Sequence, residues 1–172
     1  MLMAPLVRRS WAPQGQTPIL RQRGAHHRKV SVMAALCVSP TRDQLRFYFR
    51  LYPNAEIQSR DVIQFLRYLG EELHAPWLLL WDRLNAHRAK RTQEFLAQQP
   101  ALQAFYFPSY APELNPTEYA WSYWKANRMA NLAKFEIQDL ADATRRHGRS
   151  LQRCPQLLRS FVNHSPLSLR LK

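Results

Sequence analysis

Apolar and polar positions fall into a small number of periodic runs along the chain. From Val30 to Val38 small apolar and β-branched residues follow one another with little interruption and stop at Ser39-Pro40, which predicts a buried strand. From Leu45 to Tyr52 apolar residues alternate with Arg46, Tyr48 and Arg50, as in a strand with one wet face, and the two runs are expected to pair antiparallel. Val62, Phe65, Leu66, Leu69 and Leu73 then repeat at helical spacing, with Ser59 as a possible cap and Asp61 near the positive end of the helix dipole. Trp77 to Trp81 is continuously apolar, which predicts a central strand covered on both sides. A helix over about 86–98, a short strand over 102–107 and a helix over 117–131 follow, the last reached through a loop held extended by Pro108, Pro112 and Pro116. A stripe of Ile137, Leu140, Ala141 and Thr144 predicts a further helix, and Leu157, Leu158, Phe161 and Val162 form one more apolar face. This order of elements argues an α/β fold, a mixed sheet with helices packed against it.

At 172 residues with 46% hydrophobic content the chain has material for one core. No apolar run approaches the roughly 18 to 20 residues of a membrane-spanning helix. Arg8 and Arg9 also interrupt the apolar start, so a cytoplasmic location is expected. Cys37 and Cys154 have neither metal-site nor disulfide spacing and read as reduced core thiols. The net charge of +13 is unevenly placed. Residues 1–42 carry seven Lys or Arg and no acid, residues 143–172 seven more and no acid, while the middle balances eleven basic against twelve acidic residues. Two cationic flanks around a neutral body suit a polyanion such as DNA, since binding is driven by counterion release. In the first flank Arg8, Arg9, Arg21, Arg23, Arg28 and Lys29 are candidate phosphate contacts. Much of this flank, residues 8–23, reads as a hairpin-like arm turning at Gly15, with Pro13 and Pro18 confining its sides.

Two carboxylates stand out against this background. Asp82 closes the Leu78-Leu79-Leu80-Trp81 run, where open α/β sheets place their ligands, and Glu118 lies in the first turn of a predicted helix. A shared divalent cation is one use for such a pair. Each residue also has a structural explanation: Asp commonly ends a strand in a turn, and Asn115-Pro116-Thr117-Glu118 fits a capping box. Glu113 is a rival to Glu118, but it lies in a proline-bounded loop, whereas a helix would fix the direction of Glu118. Trp121, Tyr123 and Trp124 are expected in the core rather than stacked on bases.

The segment Trp81-Asp82-Arg83-Leu84-Asn85-Ala86-His87, taken with Phe107-Pro108-Ser109-Tyr110-Ala111-Pro112-Glu113-Leu114-Asn115-Pro116-Thr117-Glu118-Tyr119-Ala120-Trp121, resembles the DDE transposases of the mariner superfamily, in its bacterial insertion-sequence branch. Arg8-Arg9-Ser10-Trp11-Ala12-Pro13 looks like the segment after the first catalytic Asp of that branch, so the resemblance covers nearly the whole chain. It implies a ribonuclease-H-like (retroviral-integrase-like) fold in which three acids hold two Mg²⁺ (or Mn²⁺) ions for DNA strand cleavage and transfer. Asp82 matches the second acid and Glu118 the third, with 35 residues between them, one more than is usual in the superfamily. His87 and Arg88, with Asn85, are candidates to touch the scissile phosphate or DNA backbone; a solvated helix start explains them equally well. The resemblance divides the chain into a truncated catalytic domain, 1–134, with its basic arm over about 8–29, and a basic helical extension, 135–172.

The first acid of the family has no counterpart here. No Asp or Glu precedes Asp43, and Asp43 and Asp61 are expected in a turn and at a helix start, away from the motif. In the family the first strand, which carries that acid, lies between the second and the fourth. Its absence is expected to leave an unpaired edge on Trp77 to Trp81. The expectation is therefore a transposase catalytic-domain fragment without its helix-turn-helix region, inactive alone and completed by an upstream segment through frameshifting or in trans. Its alternative is a non-enzymatic DNA-binding remnant that associates with an intact transposase.

Overall fold

The structure is a computed structural model and describes residues 1–3, 6–21, 28–167 and 169–171. Its first two strands, β1 (Val30–Val38) and β2 (Leu45–Pro53), pair antiparallel in the register Val30 to Pro53 through Val38 to Leu45, as the alternation predicts. Both faces of this ribbon are covered. Val32, Ala34 and Leu36 point into a core shared with helices α4 (Pro116–Tyr123), α5 (Ile137–Gln152) and α6 (Pro155–His164), where Phe47, Trp124, Leu140, Leu151 and Leu158 are buried. Met33, Ala35 and Cys37 point the other way, against Phe65 and Leu69 of α1 (Ser59–Leu73). Helix α1 begins one residue earlier than expected. Gln58 rather than Ser59 is its cap, because Gln58 and Asp61 bond reciprocally to each other's backbone.

A second pair of strands, β3 (Trp77–Trp81) and β4 (Leu102–Tyr106), runs parallel. Trp77, Leu79 and Trp81 pack on α1, but Leu78 is 64% and Leu80 49% exposed, so β3 is covered on one face only. The expectation of a strand covered on both sides fails for the other face.

The connection between β3 and β4 is two helices, α2 (Asn85–Arg88) and α3 (Lys90–Ala97), not one. Thr92 Oγ1 donates to the Ala86 carbonyl at 2.7 Å and Gln93 Nε2 to the His87 carbonyl at 2.7 Å, taking acceptors that a continuous helix would use. Ala89 is accordingly extended. The helix expected over 117–131 is also modified. After Tyr123 the turn widens, with Met129 N–H donating to the Trp124 carbonyl five residues back. Trp124, 1% exposed, is wedged edge-on against Phe47 and Phe49 and stacked on Trp121, the core role expected for it.

The turn at Gly15 forms, with φ +79 and Gln16 N–H donating to Pro13. Its flanks carry no strand pairing among the described residues, since the prolines on both sides interrupt any ladder. The arm is tied down at its base, where Asn131 Oδ1 accepts from Arg8 N–H at 2.8 Å and Asn131 Nδ2 donates back to the Arg8 carbonyl at 2.9 Å.

The two pairs of strands do not join. Among the described strands β1 pairs with β2 and β3 with β4. Between them runs a groove of about 1070 Å³, lined on one side by Val32 to Val38 and on the other by Trp77 to Trp81. At the Val30 end of β1 the free edge is already used. Val30 and Met1 exchange both backbone hydrogen bonds, at 2.7 and 2.8 Å, and Leu2 bridges Lys29 antiparallel. Because hydrogen-bonding direction alternates along a strand, Val32, Ala34, Leu36 and Val38 turn their N–H and C=O groups toward the groove as Val30 does.

Candidate functional site: two carboxylates at the mouth of a split sheet

Asp82 follows directly on β3, so its backbone is set by the strand. Its Oδ1 accepts from Leu84 N–H at 3.0 Å and lies 2.8 Å from His87 Nδ1. The imidazole is itself immobilised. It stacks on Trp81 at 4.3 Å between ring centres, and its Nδ1 is 3.2 Å from the Asp82 carbonyl. The His87 peptide is held in turn by Gln93 of α3 and the Tyr106 hydroxyl of β4. Two donors thus converge on one carboxylate oxygen, while Oδ2 has no hydrogen bond among the described residues. The hydrogen bond from His87, aided by Leu84, holds the Asp82 carboxyl below its usual pKa, against the opposing effect of partial burial.

Glu118 is placed by the start of α4. Pro116 occupies the first helical position, Asn115 Oδ1 accepts from Thr117 N–H at 3.1 Å, and the Asn115 carbonyl accepts from Glu118 N–H at 2.9 Å. The capping-box use of Glu118 does not form, because Asn115 N–H donates to the Pro112 carbonyl instead. The half-buried carboxylate makes no hydrogen bond among the described residues. Burial raises its pKa, and the negative charge of Asp82 raises it further, against the opposing charge of Lys125. Asp82 and Glu118 therefore lie in one electrostatic neighbourhood, and both line the groove between the sheets. Glu113 does not line it. Its side chain is exposed in a short 3₁₀ turn, Pro112–Leu114, and its carbonyl accepts from Tyr119.

Hard, unbonded carboxylate oxygens suit Mg²⁺ or Mn²⁺. Among the described residues no third Asp, Glu, His or Cys joins the pair to complete a metal cluster. Asp43 accepts from Ser39 and Thr41 in the β1–β2 turn, and Asp61 caps α1, so both acids are occupied locally.

The expected phosphate contacts are dispersed. Arg8 is exposed and its Nη1 donates to the Ala126 carbonyl at 3.0 Å; Arg9, Arg21 and Arg88 are exposed. Arg28 pairs with Glu136 at 3.7 Å and Lys29 with Glu56 at 2.9 Å. Arg23 lies outside the described residues. His87 faces Asp82 rather than solvent, its side chain 15% exposed. Lys125, the cation beside Glu118, was not singled out by sequence reasoning. Its signal was a spacing of seven residues, two helical turns that return to the same face.

The comparisons with known proteins show a family by sequence and a fold by structure. Residues 3–140 match the DDE superfamily endonuclease family. Among solved structures the chain is similar to the Mos1 mariner paired end complex with Mn (TM-score 0.57, 16% identity, 94% of this chain and 52% of that one). It is also similar to the Mos1 Strand Transfer Complex (TM-score 0.56, 16% identity, 95% and 52%). The chain spans about half the length of these matched chains. No curated protein matches it significantly by sequence. None of its helices, among the described residues, is long and apolar enough to cross a membrane. With the ribonuclease-H-like fold in place and residues 3–140 matched by its family model, the chain belongs to the DDE superfamily endonucleases.

Proposed function

We propose that this chain is the catalytic-domain part of a mariner-superfamily transposase of the insertion-sequence branch. On this reading Asp82 and Glu118 supply two of the three acids for two-metal DNA cleavage and strand transfer. Asp82 and Glu118 would hold Mg²⁺ or Mn²⁺, which when bound would supply activation of the attacking oxygen and stabilisation of the leaving one. The chain's own part is to present Asp82 Oδ2 and the Glu118 carboxylate from a strand end and a helix start. His87, Trp81 and the Asn115 cap hold those directions.

The split sheet carries this reading. The groove separates the unpaired edge of β1 from β3, where a further strand would pair. Met1 already begins the antiparallel pairing to β1 on the groove side. Its ammonium and the Glu118 carboxylate both feel the charge of Lys125. A strand leading toward Met1, in the same chain or supplied separately, would continue along β1 and approach the acid pair near its end. We propose that this strand brings the third acid, and that the chain without it is inactive.

The test mixes the full chain with a polypeptide carrying an Asp-bearing upstream strand, in Mg²⁺, with a supercoiled plasmid bearing the element's ends. Nicking that appears only in the mixture and is abolished by Asp82→Ala is the expected result. DNA binding without nicking under every pairing would favour a non-enzymatic DNA-binding remnant, the alternative suggested by the absence of a third ligand among the described residues.

A further inference from the structure

Several cations of the chain are held in ion pairs, but those on the outer face of α5 are not. Arg145 is paired with Asp142 at 2.5 Å, Arg28 with Glu136, and Lys29 with Glu56. Arg146, Arg149 and Arg153 are exposed and make no ion pair or side-chain hydrogen bond among the described residues. Arg128 is in the same condition at the end of the widened turn. Positions 146, 149 and 153 are spaced three and four residues apart, so they form one ridge about 10 Å long on the side of the helix away from the core. Arg128 and His147 share with Ser150 and Cys154 the lining of a dimple of about 10 Å³ beside that ridge. No acid follows Asp142 in the sequence. Complementing the helix dipole would account for one cation in the last turn, but not for a ridge that begins a turn earlier.

The ridge is also rigidly seated. At Gly148, between Arg146 and Arg149, an added Cβ would come within 2.5 Å of Phe49 and 2.6 Å of Trp124. The helix therefore lies as close to β2 as a backbone allows. Arginines on such a platform lose less freedom on binding than arginines on a loop. None of these arginines lines the groove that holds Asp82 and Glu118, so the ridge is separate from the acid pair.

From this we infer that Arg146, Arg149 and Arg153, flanked by Arg128 and His147, form a contact surface for the phosphate backbone of duplex DNA, distinct from the acid site. Three cations over about 10 Å match about three nucleotides of one strand at about 3.4 Å per step. The contact carries no base reading. It rests on the proposed DNA partner but on neither the acids nor a metal.

The experiment measures fluorescence anisotropy of a labelled duplex of about 20 base pairs of arbitrary sequence, bound by the full chain in EDTA over about 50 to 200 mM NaCl. Each lost phosphate contact lowers the magnitude of the log K against log salt slope by about 0.9. Arg146→Gln/Arg149→Gln/Arg153→Gln should lower it by about 2 to 3, and the corresponding triple Lys variant should restore it, because the charges return. A control removing three charges elsewhere, Arg60→Gln/Arg67→Gln/Arg91→Gln, should change the slope by less than one contact. The inference is overturned by an unchanged slope in the triple Gln variant, by a Lys variant as defective as the Gln one, or by a control with an equal effect. Binding of anionic vesicles through the same arginines, with the DNA slope unaffected, would also overturn it. Loss of nicking under the proposed function, with the slope change intact, would count against the acid reading alone.

Discussion

Gly148→Ala and Gly70→Ala make the same chemical change in two helices and should have opposite effects. In an exposed helical position Ala is favoured over Gly by about 1 kcal/mol, through the backbone entropy of the unfolded chain and the hydration of the helix. Gly70 in α1 is exposed, and an added Cβ meets nothing within 4 Å, so that gain should appear undiminished. At Gly148 the same gain is opposed by contacts of 2.5 and 2.8 Å to the Phe49 ring and 2.6 Å to the Trp124 ring. These rings pack edge-on at 5.4 Å between centres, and Trp124 also abuts Phe47, so neither can yield without disturbing the core. Overpacking of this kind costs about 1 to 3 kcal/mol; the closeness of the contacts places it at the upper end, leaving a net loss of about 1 to 2 kcal/mol. The two variants should then differ by about 2 to 3 kcal/mol, or roughly 5 to 10 °C in Tm for a chain of this size. Thermal unfolding followed by circular dichroism at one pH and salt concentration measures the difference. A Gly148→Ala protein as stable as Gly70→Ala would refute the argument that α5 is seated at backbone contact on β2.

Glu118→Gln should stabilise the protein at neutral pH. Burial raises the Glu118 pKa, so the folded state binds a proton more readily than the unfolded one, and the wild type loses stability as pH rises through the unfolded and then the folded pKa. Stability curves of the two proteins should converge below the unfolded Glu pKa and separate above it; parallel curves would contradict this. For Asp82 the sign is opposite. Its lowered pKa contributes stability that is present above the unfolded Asp value and lost as pH falls through the folded one, so His87→Ala should narrow the acid-side difference between wild type and Asp82→Asn. Under the proposed function His87 is a positioning residue, and His87→Ala in the completed enzyme should weaken Mn²⁺ binding about 10-fold to 100-fold, measured by calorimetry. Equal affinity would remove it from that role. Thr92→Val leaves the Ala86 carbonyl without its donor at a fully buried side chain and should cost about 1 to 3 kcal/mol in denaturant unfolding.

The periodicity was enough to place most elements, because each apolar stripe or alternation meets a core in its immediate neighbourhood. β1 and β2 pair in the expected way, and the stripe led by Ile137 and the face led by Leu157 became α5 and α6. Local chemistry also marked the places of Asp82 and Glu118, one at a strand end and the other behind an Asn-Pro helix start. What failed depended either on distant partners or on side chains that compete locally with the backbone. The break at Ala89 arises because Thr92 and Gln93 compete for carbonyls that helical spacing alone assigns to the backbone. The widened turn after Tyr123 accompanies the wedging of Trp124 between Phe47 and Phe49, residues more than seventy positions away. The exposed face of β3 was illegible, since five apolar residues in a row look the same whether one face or both are covered. The use of Glu118 was likewise undecided between cap and free carboxylate until Asn115 N–H was seen bonded to Pro112. By itself the sequence determined which residues carry charge and which local backbone holds them. Only the tertiary structure decided that Asp82 and Glu118 share a groove, because that relation is set by packing between segments that lie far apart along the chain.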